Sequence, residues 1–296
     1  MYPINRTRLF FVLLLFLSPP LEAQITYSET CLTQHPGNDR YGSYSPDGNK
    51  ILFESDRNGN WDIFVLDLST QALSTVTATD KDERRPSWHP NGQQILFESI
   101  DGEQSELHLV DIASGQASIV LAQNVLEGNY NFARFSPDGR QIAFTLMKSE
   151  QSFDLYIYNL SNQELTRLTE NGLRNAYPYW SPNGKELLCF SRKDTRNEDD
   201  EIYRIKLKNN HWKRLTNWPK HNFCPSFSAD GKKIALVISM EDSRPEIFIM
   251  NKKGKKLRRI TFNEDGETLP IWSPKGDKLL ITAYRNGNYE ICEISL

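Results

Sequence analysis

The chain has 296 residues, a formal net charge of -3, 38% hydrophobic residues and four cysteines. A protein whose main partner is nucleic acid is expected to carry a strong basic excess, so this charge balance argues against that class. The length suits a single domain.

The N-terminal segment has the features of a secretory signal peptide. Two arginines precede a continuous apolar run from Leu9 to Leu17, and the small residue Ala23 follows it. The run is short for a membrane-spanning helix, and no comparable run occurs later. We therefore predict cleavage after Ala23, export to a periplasm or out of the cell, and a mature chain from Gln24 to Leu296 without a transmembrane span. An uncleaved anchor is the alternative.

One sequence motif recurs six times along the rest of the chain. In its copy from Tyr177 to Phe190, an aromatic residue is followed by a Ser-Pro-Asn-Gly turn and then by an apolar run. Strand-like repeats at intervals of 44 to 47 residues are typical of a β-propeller, with one four-stranded blade per repeat. The turn glycines are Gly48, Gly92, Gly139, Gly184, Gly231 and Gly276, and four positions before them stand Tyr44, Trp88, Phe135, Trp180, Phe227 and Trp272.

Each repeat can be divided into four strands. Proline, Asp or Asn, and Gly after the aromatic residue predict a hairpin turn, and the apolar run that follows fits a strand buried on both faces. In the first repeat a third strand then covers Trp61–Asp67 and a fourth covers Leu73–Thr77. Further third strands are predicted at Glu106–Asp111, Asp154–Asn159, Glu201–Lys206, Glu246–Asn251 and Glu290–Ser295, and further fourth strands at Leu165–Thr169, Lys213–Thr216 and Leu257–Thr261.

The two ends of the chain complement each other. The last repeat stops after its third strand, whereas a segment resembling a fourth strand, Thr30–Thr33, precedes the first repeat. We therefore predict an all-β fold, a six-bladed β-propeller in which the N-terminal strand completes the last blade. Such closure leaves no long unpaired sheet edge.

Closure would bring two of the four cysteines onto one blade. Cys31 would lie on the fourth strand and Cys292 on the third, and paired antiparallel strands hold their Cα atoms about 4.5 to 5.5 Å apart, which a disulfide can span. A disulfide between them and two reduced thiols both remain compatible with the sequence. We expect Cys189 to be a buried apolar residue and Cys224 to line the channel.

The repeat resembles that of a known family. The motif Trp/Phe-Ser-Pro-Asp/Asn-Gly, an apolar run and then the segment from Ser55 to Val65 are similar to the repeat of TolB-type propellers, also called PD40 or WD40-like. The resemblance covers the whole mature chain. It implies a periplasmic propeller that binds a peptidoglycan-associated partner. Proteins of this type also carry an N-terminal α/β domain, and because few residues separate Ala23 from the closing strand, we expect the propeller part only.

The loops that lead into the innermost strands form the candidate binding surface. They are expected to meet at one mouth of the central channel, where aromatic residues beside arginines and carboxylates suit the capture of a peptide or a partner's loop. The alternative is that these side chains only pack between the blades. The candidate residues are Arg40, Tyr41, Glu83, Arg84, Arg85, Asn131, Phe132, Asn175, Tyr177, His221, Phe223 and Glu267.

These observations predict an exported, non-catalytic and monomeric scaffold without a cofactor. Its partner would be another envelope or secreted protein, such as a peptidoglycan-associated one. The alternative is a carbohydrate-active enzyme or glycan-binding protein with its site in the channel, because oligogalacturonate lyases have a similar repeat and a histidine-rich metal site. Of the five histidines, His35 and His221 alone fall in loops leading to innermost strands, fewer than the usual three ligands, so no metal site is predicted.

Overall fold

The computed structural model describes residues 27–195, 199–218, 221–239, 244–262 and 265–296. The chain forms six four-stranded antiparallel sheets, which are the blades of the predicted six-bladed propeller and are numbered I to VI from the N-terminus. The predicted signal peptide falls in residues 1–26, outside the described part. Among the described residues no helix has the length and apolar character needed to cross a membrane.

Within each blade the chain runs outward from the channel, as the repeat predicts, and the innermost strand is therefore the first of each blade. One 3-10 helix, Leu207–Asn209, joins the last two strands of blade IV. The closing strand is β1 (Glu29–Cys31); blade I has β2 (Asp39–Tyr44), β3 (Lys50–Ser55), β4 (Asp62–Asp67) and β5 (Leu73–Thr75); blade II has β6 (Asp82–Trp88), β7 (Gln94–Asp101), β8 (Gln104–Asp111) and β9 (Ala117–Leu121); and blade III has β10 (Asn129–Phe135), β11 (Gln141–Ser149), β12 (Ser152–Asn159) and β13 (Leu165–Arg167). Blade IV has β14 (Asn175–Trp180), β15 (Glu186–Ser191), β16 (Glu201–Lys206) and β17 (His211–Arg214); blade V has β18 (Asn222–Phe227), β19 (Lys233–Ser239), β20 (Pro245–Asn251) and β21 (Arg258–Arg259); and blade VI has β22 (Glu267–Trp272), β23 (Lys278–Arg285) and β24 (Asn288–Ser295).

The N-terminal strand closes the ring, which confirms the predicted closure. Strand β1 pairs antiparallel with β24, and Cys31 lies opposite Cys292 in that register. The two cysteine sulfurs are joined in a disulfide. Beyond β1, the Thr33 hydroxyl donates a hydrogen bond to the Glu290 carboxylate at 2.6 Å and accepts one from the Ile291 amide at 2.9 Å. Blade VI is therefore held by both ends of one chain.

The contact made by Thr33 recurs in four other blades, and we call it the threonine clasp. In each, a buried threonine hydroxyl just beyond the fourth strand accepts the amide of a third-strand residue at 2.8 to 2.9 Å. The same hydroxyl donates to the acidic residue that precedes that amide, so the clasp satisfies two buried polar groups at once. The threonine and acid pairs are Thr77 and Asp62, Thr169 and Asp154, Thr216 and Glu201, and Thr261 and Glu246.

The turn that follows each innermost strand explains the Ser-Pro-Asp-Gly motif. In blade I the Gly48 amide donates to the Ser45 carbonyl at 2.8 Å, and the Ser45 hydroxyl accepts the Lys50 amide at 2.9 Å while donating to Asp47. The turn glycines of all six blades have φ between 66° and 77°, a left-handed conformation that glycine adopts without steric cost. The turn is therefore fixed by its own residues.

The core lies between neighbouring blades. Leu52 and Ile63 of blade I pack with Ile95 and Phe97 of blade II, and Trp88 lies in the same cluster. Trp88 also donates its indole N–H to the Ser43 carbonyl of blade I at 3.3 Å. The aromatic residue of the repeat motif therefore fills the space between blades, which accounts for its presence in every copy.

Candidate functional site in the central channel

Each innermost strand contains a β-bulge seven residues before its turn glycine. At this position φ lies between 47° and 61°, although none of the six residues is glycine. A bulge leaves one residue outside the ladder and turns its side chain away from the regular alternation of the strand. We call these residues the axial layer; they are Tyr41, Arg85, Phe132, Tyr177, Cys224 and Leu269.

The bulged amides of three blades donate hydrogen bonds to side chains of the preceding blade. The Arg85 amide donates to the Glu54 carboxylate at 2.6 Å, and the Phe132 amide donates to the Glu98 carboxylate at 2.7 Å. The Tyr177 amide donates to the Thr145 hydroxyl at 3.2 Å. These acceptors lie on second strands and are buried, so one blade stabilises the unusual backbone of the next.

The axial layer divides the channel into two cavities. The Phe132 ring centroid lies 6.2 Å from that of Tyr41 and 5.2 Å from that of Tyr177, and the Arg85 guanidinium lies over both Tyr41 and Phe132. Burial raises the pKa of Tyr41 and Tyr177, and it raises the pKa of the Cys224 thiol to about 12. The layer is therefore a neutral apolar block apart from Arg85, which pairs with Glu98.

The loop-face cavity opens where the loops enter the innermost strands. It has a volume of about 500 Å³, which is in the size range of ligand sites. Its wall combines aromatic rings with three arginines, and Cys224 lines it as the sequence suggested. The aromatic residues are Tyr41, Phe132, Tyr177, Phe190, Phe223 and Tyr289, and the arginines are Arg40, Arg174 and Arg192.

The charges of this cavity are unevenly matched. Asp200 is the one carboxylate among the described lining residues, and it accepts Arg192 Nε at 3.0 Å. His221 Nδ1 lies 3.1 Å from the same carboxylate, and Arg174 Nη1 lies 3.8 Å away. Arg40 stacks on the Tyr289 ring, with 4.1 Å from its guanidinium carbon to the ring centroid. The cavity therefore has a positive balance, which favours an anionic ligand group.

Six of the twelve sequence candidates line this cavity, and three others lie between blades. Asn175 and Glu267 begin innermost strands, Glu83 is the second residue of one, and all three are buried. Glu83 accepts the Thr79 hydroxyl at 2.6 Å, and burial raises its pKa. Glu267 pairs with Arg285 at 2.6 Å. The six lining candidates are Arg40, Tyr41, Phe132, Tyr177, His221 and Phe223.

The remaining three candidates also have structural partners. Arg84 pairs with the buried Glu54 at 3.1 Å and stacks on Trp61, whereas Arg85 belongs to the axial layer. Asn131 is buried and donates to the Asn129 carbonyl at 3.1 Å. A binding role for any of the twelve remains a prediction.

Sequence reasoning did not identify Arg192, Asp200 and Tyr289 as cavity residues. Arg192 and Asp200 lie in the connection between β15 and β16, and Tyr289 lies near the start of β24. Connections between second and third strands open on the same face as the loops that enter the blades. Charged residues in those connections are the signal that would have found Arg192 and Asp200.

Three exposed apolar side chains lie on the loop face of the propeller, and we call them the apolar rim. Leu173, Trp218 and Phe262 lie in the loops that enter blades IV, V and VI, and they are 37%, 52% and 42% exposed. An ordinary surface exposes large apolar side chains singly, whereas this face exposes three of them on successive loops. The apolar rim therefore adds exposed apolar surface to the face on which the loop-face cavity opens.

One possible metal-ligand group occurs in the described part of the chain. It consists of Glu29, Cys31 and Cys292, whose candidate ligand atoms lie within 4.8 Å of one another. The two sulfurs are bonded to each other, so they are not available as thiolate ligands. Neither His35 nor His221 belongs to this group.

Comparison with known proteins agrees with this architecture. The model of the TolB beta propeller domain, PD40, matches residues 23–133, 85–217 and 194–296. A 60-residue segment is 33% identical to the Tol-Pal system protein TolB of Alcanivorax borkumensis, which is 20% of this chain and 14% of that protein. The chain aligns with only 8% to 14% of the length of its first curated relatives.

Solved structures share the fold. TolB from Acinetobacter baumannii superposes with a TM-score of 0.65 at 22% identity, covering 88% of this chain and 64% of that one. Oligogalacturonate lyase from Vibrio parahaemolyticus superposes with a TM-score of 0.63 at 14% identity, covering 92% and 97%. At such identities the likeness shows the propeller fold alone, and one fold can serve unrelated functions.

Proposed function

Because the chain belongs to the TolB β-propeller (PD40) family, we propose that it is an exported, non-catalytic scaffold that binds a protein partner of the cell envelope through its loop face. The observation that carries the proposal is the loop-face cavity together with the apolar rim. A cavity alone would suit a small molecule. Exposed Leu, Trp and Phe residues on the same face suit a larger, protein surface.

The chemistry of the cavity defines the part of the partner that enters it. Arg40 has no carboxylate partner among the described residues: its Nε has no hydrogen-bond partner, and its guanidinium carbon lies 4.1 Å from the Tyr289 ring centroid. Arginine and aromatic residues are the side chains most often found at the energetic centre of protein interfaces. The inserted segment is therefore acidic and carries an apolar or aromatic side chain for the rim.

The alternative of a carbohydrate-active enzyme has one observation in its favour, the contact between Asp200 and His221. Glycoside chemistry commonly uses two carboxylic groups, and Asp200 is the single carboxylate among the described cavity residues. Its oxygens are also engaged by Arg192 and Arg174. This arrangement favours a structural ion cluster over an acid and base pair.

Photocrosslinking in the native envelope tests the proposal. A photoreactive residue at position 218 or 262, on the apolar rim, is expected to give one recurrent protein adduct. The matched control is position 119, where Ile119 is 55% exposed on the outermost strand of blade II. An adduct that forms equally at position 119 contradicts a loop-face site. Absence of any adduct, with purified protein that retains or cleaves an acidic sugar, supports the enzyme or glycan-binding alternative.

Export is tested separately. The mature protein is expected in the periplasmic or secreted fraction with Gln24 at its N-terminus, as mass spectrometry would measure. A cytoplasmic protein that keeps residues 1–23 contradicts the export part of the proposal and leaves the loop-face site to be judged by crosslinking.

A further inference from the structure

A second cavity lies on the opposite face of the axial layer, where the six turns meet. This turn-face cavity has a volume of about 420 Å³ and shares no lining residue with the loop-face cavity. Its wall contains serines, prolines and aromatic rings and one charged side chain, Arg134. A cavity of this size and composition, with one charge, has the form of a small-molecule site.

Arg134 occupies a position at which the other blades have uncharged residues. It lies two residues after the axial-layer residue of blade III, where the other blades have Ser43, Ser87, Tyr179, Ser226 and Ile271. The symmetry of the repeat therefore does not require a cation here. A single arginine among serines in an apolar channel needs a specific explanation.

The guanidinium of Arg134 is held by aromatic rings but is not neutralised. It lies 5.3 Å from the Tyr177 ring centroid and 5.0 Å from that of Tyr179, and its Nη2 donates to the Tyr177 hydroxyl at 3.1 Å. Its Nε is shielded from water and has no hydrogen-bond partner among the described residues. A guanidinium offers five N–H donors, so this site leaves most of them unused.

Other arginines of the blades show the contrast. Arg57, Arg85, Arg167, Arg214, Arg259 and Arg285 each pair with a buried carboxylate at 2.5 to 2.9 Å. Arg134 has no carboxylate within 4.0 Å in the described part of the chain. The Arg134 side chain is half-buried, and it lines the turn-face cavity with no carboxylate beside it. An anion from outside the chain could therefore accept the N–H groups that the protein leaves free.

We propose that the turn-face cavity binds a small organic carboxylate, whose two oxygens accept hydrogen bonds from the Arg134 guanidinium while its apolar part packs on the surrounding rings. The planar fork of arginine matches a carboxylate. One cation balances one negative charge. The turn residues Asp47, Asp138 and Asp230 lie next to lining residues of the cavity, and their charges disfavour a dianion such as phosphate. This inference is independent of the proposed loop-face partner.

Thermal unfolding of the mature protein at fixed ionic strength tests the site, with acetate, benzoate or inorganic phosphate replacing chloride. Benzoate is expected to raise the unfolding temperature saturably, with acetate weaker. Arg134→Gln is expected to weaken the apparent affinity for benzoate about tenfold or more. Arg140→Gln is the matched control, because Arg140 is an exposed arginine of the same blade and turn. It should leave the benzoate response unchanged.

Each other outcome overturns the proposal. These outcomes are no saturable response to either carboxylate, an equal benzoate response in Arg134→Gln, and a response to phosphate without one to carboxylates. If Arg134→Gln does not fold, crystals of the unchanged protein with 4-bromobenzoate decide. Anomalous bromine density in the turn-face cavity, with the carboxylate against Arg134, supports the site, and an empty cavity at saturating ligand refutes it.

Discussion

Removal of the closing disulfide is expected to destabilise the propeller strongly. The perturbation is the double substitution Cys31→Ser and Cys292→Ser. The bridge joins residues separated by 261 positions, so it closes a loop that contains nearly the whole domain. For a loop of this length the chain-entropy relation gives a loss of about 5.5 kcal/mol in unfolding free energy. The β1 pairing and the Thr33 clasp persist without the bridge, so the variant should still fold.

Urea denaturation with and without dithiothreitol measures this loss. Reductant should lower the unfolding free energy of the unchanged protein by the same amount as the double substitution and should leave the variant unaffected. Cys189 and Cys224 remain in both proteins and serve as an internal control. A loss of unfolding free energy below about 1 kcal/mol lies under the typical range for a disulfide. It would refute the reasoning that the disulfide stabilises the propeller by restricting the unfolded chain.

Three further predictions concern single side chains. Thr169→Val removes a threonine clasp and leaves the Leu155 amide and the Asp154 carboxylate short of a partner, so it should cost about 2 kcal/mol in urea denaturation. Thr166→Val, at an exposed threonine of the adjoining strand β13, should have little effect. Ser136→Ala removes the hydroxyl that mainly lowers the pKa of Asp138, so the pKa measured by carbon NMR should rise toward 3.8. A lowered pKa contributes stability that is present above pH 3.8 and is lost as the pH falls through the pKa of the folded protein. The difference in unfolding free energy between the two proteins should therefore shrink in acid. A difference that does not change with pH would contradict the assignment. Burial raises the pKa of Cys224 to about 12, so iodoacetamide at pH 8 should label it far more slowly in the native protein than in urea, and equal rates would contradict its burial.

The fold could be predicted from the repeat because the residue types of the repeat are set by local interactions. The Ser-Pro-Asp-Gly turn specifies its own conformation, and Trp88 and its counterparts fill the space between blades, so both leave a residue-type signal in every copy. The closing strand was predictable for the same reason, since Thr33 makes the clasp that its counterparts make. The predicted strand ends differed from the observed ones by at most two residues, because a sequence pattern marks a strand but does not mark its last hydrogen bond.

The candidate site was less visible in the sequence. Arg40, at the start of β2, and His221, in the loop that enters blade V, line the cavity. Glu83 and Glu267, near the starts of equivalent strands, are buried between blades instead. Which way such a residue points depends on the strand register and on the neighbouring blade. Arg134 had no local signal, because the absence of a partner becomes evident only when the surrounding blades are in place.

The six axial-layer residues share one backbone conformation, although their side chains differ in chemistry. They are two tyrosines, an arginine, a phenylalanine, a cysteine and a leucine, yet all have the same left-handed backbone. The fold therefore places a side chain at the channel axis at six fixed positions, and it does not require a particular residue type at any of them. Substitution of the axial-layer residues alone could therefore change the binding specificity of the channel. The main steric limit is that β-branched residues and proline tolerate this left-handed backbone poorly.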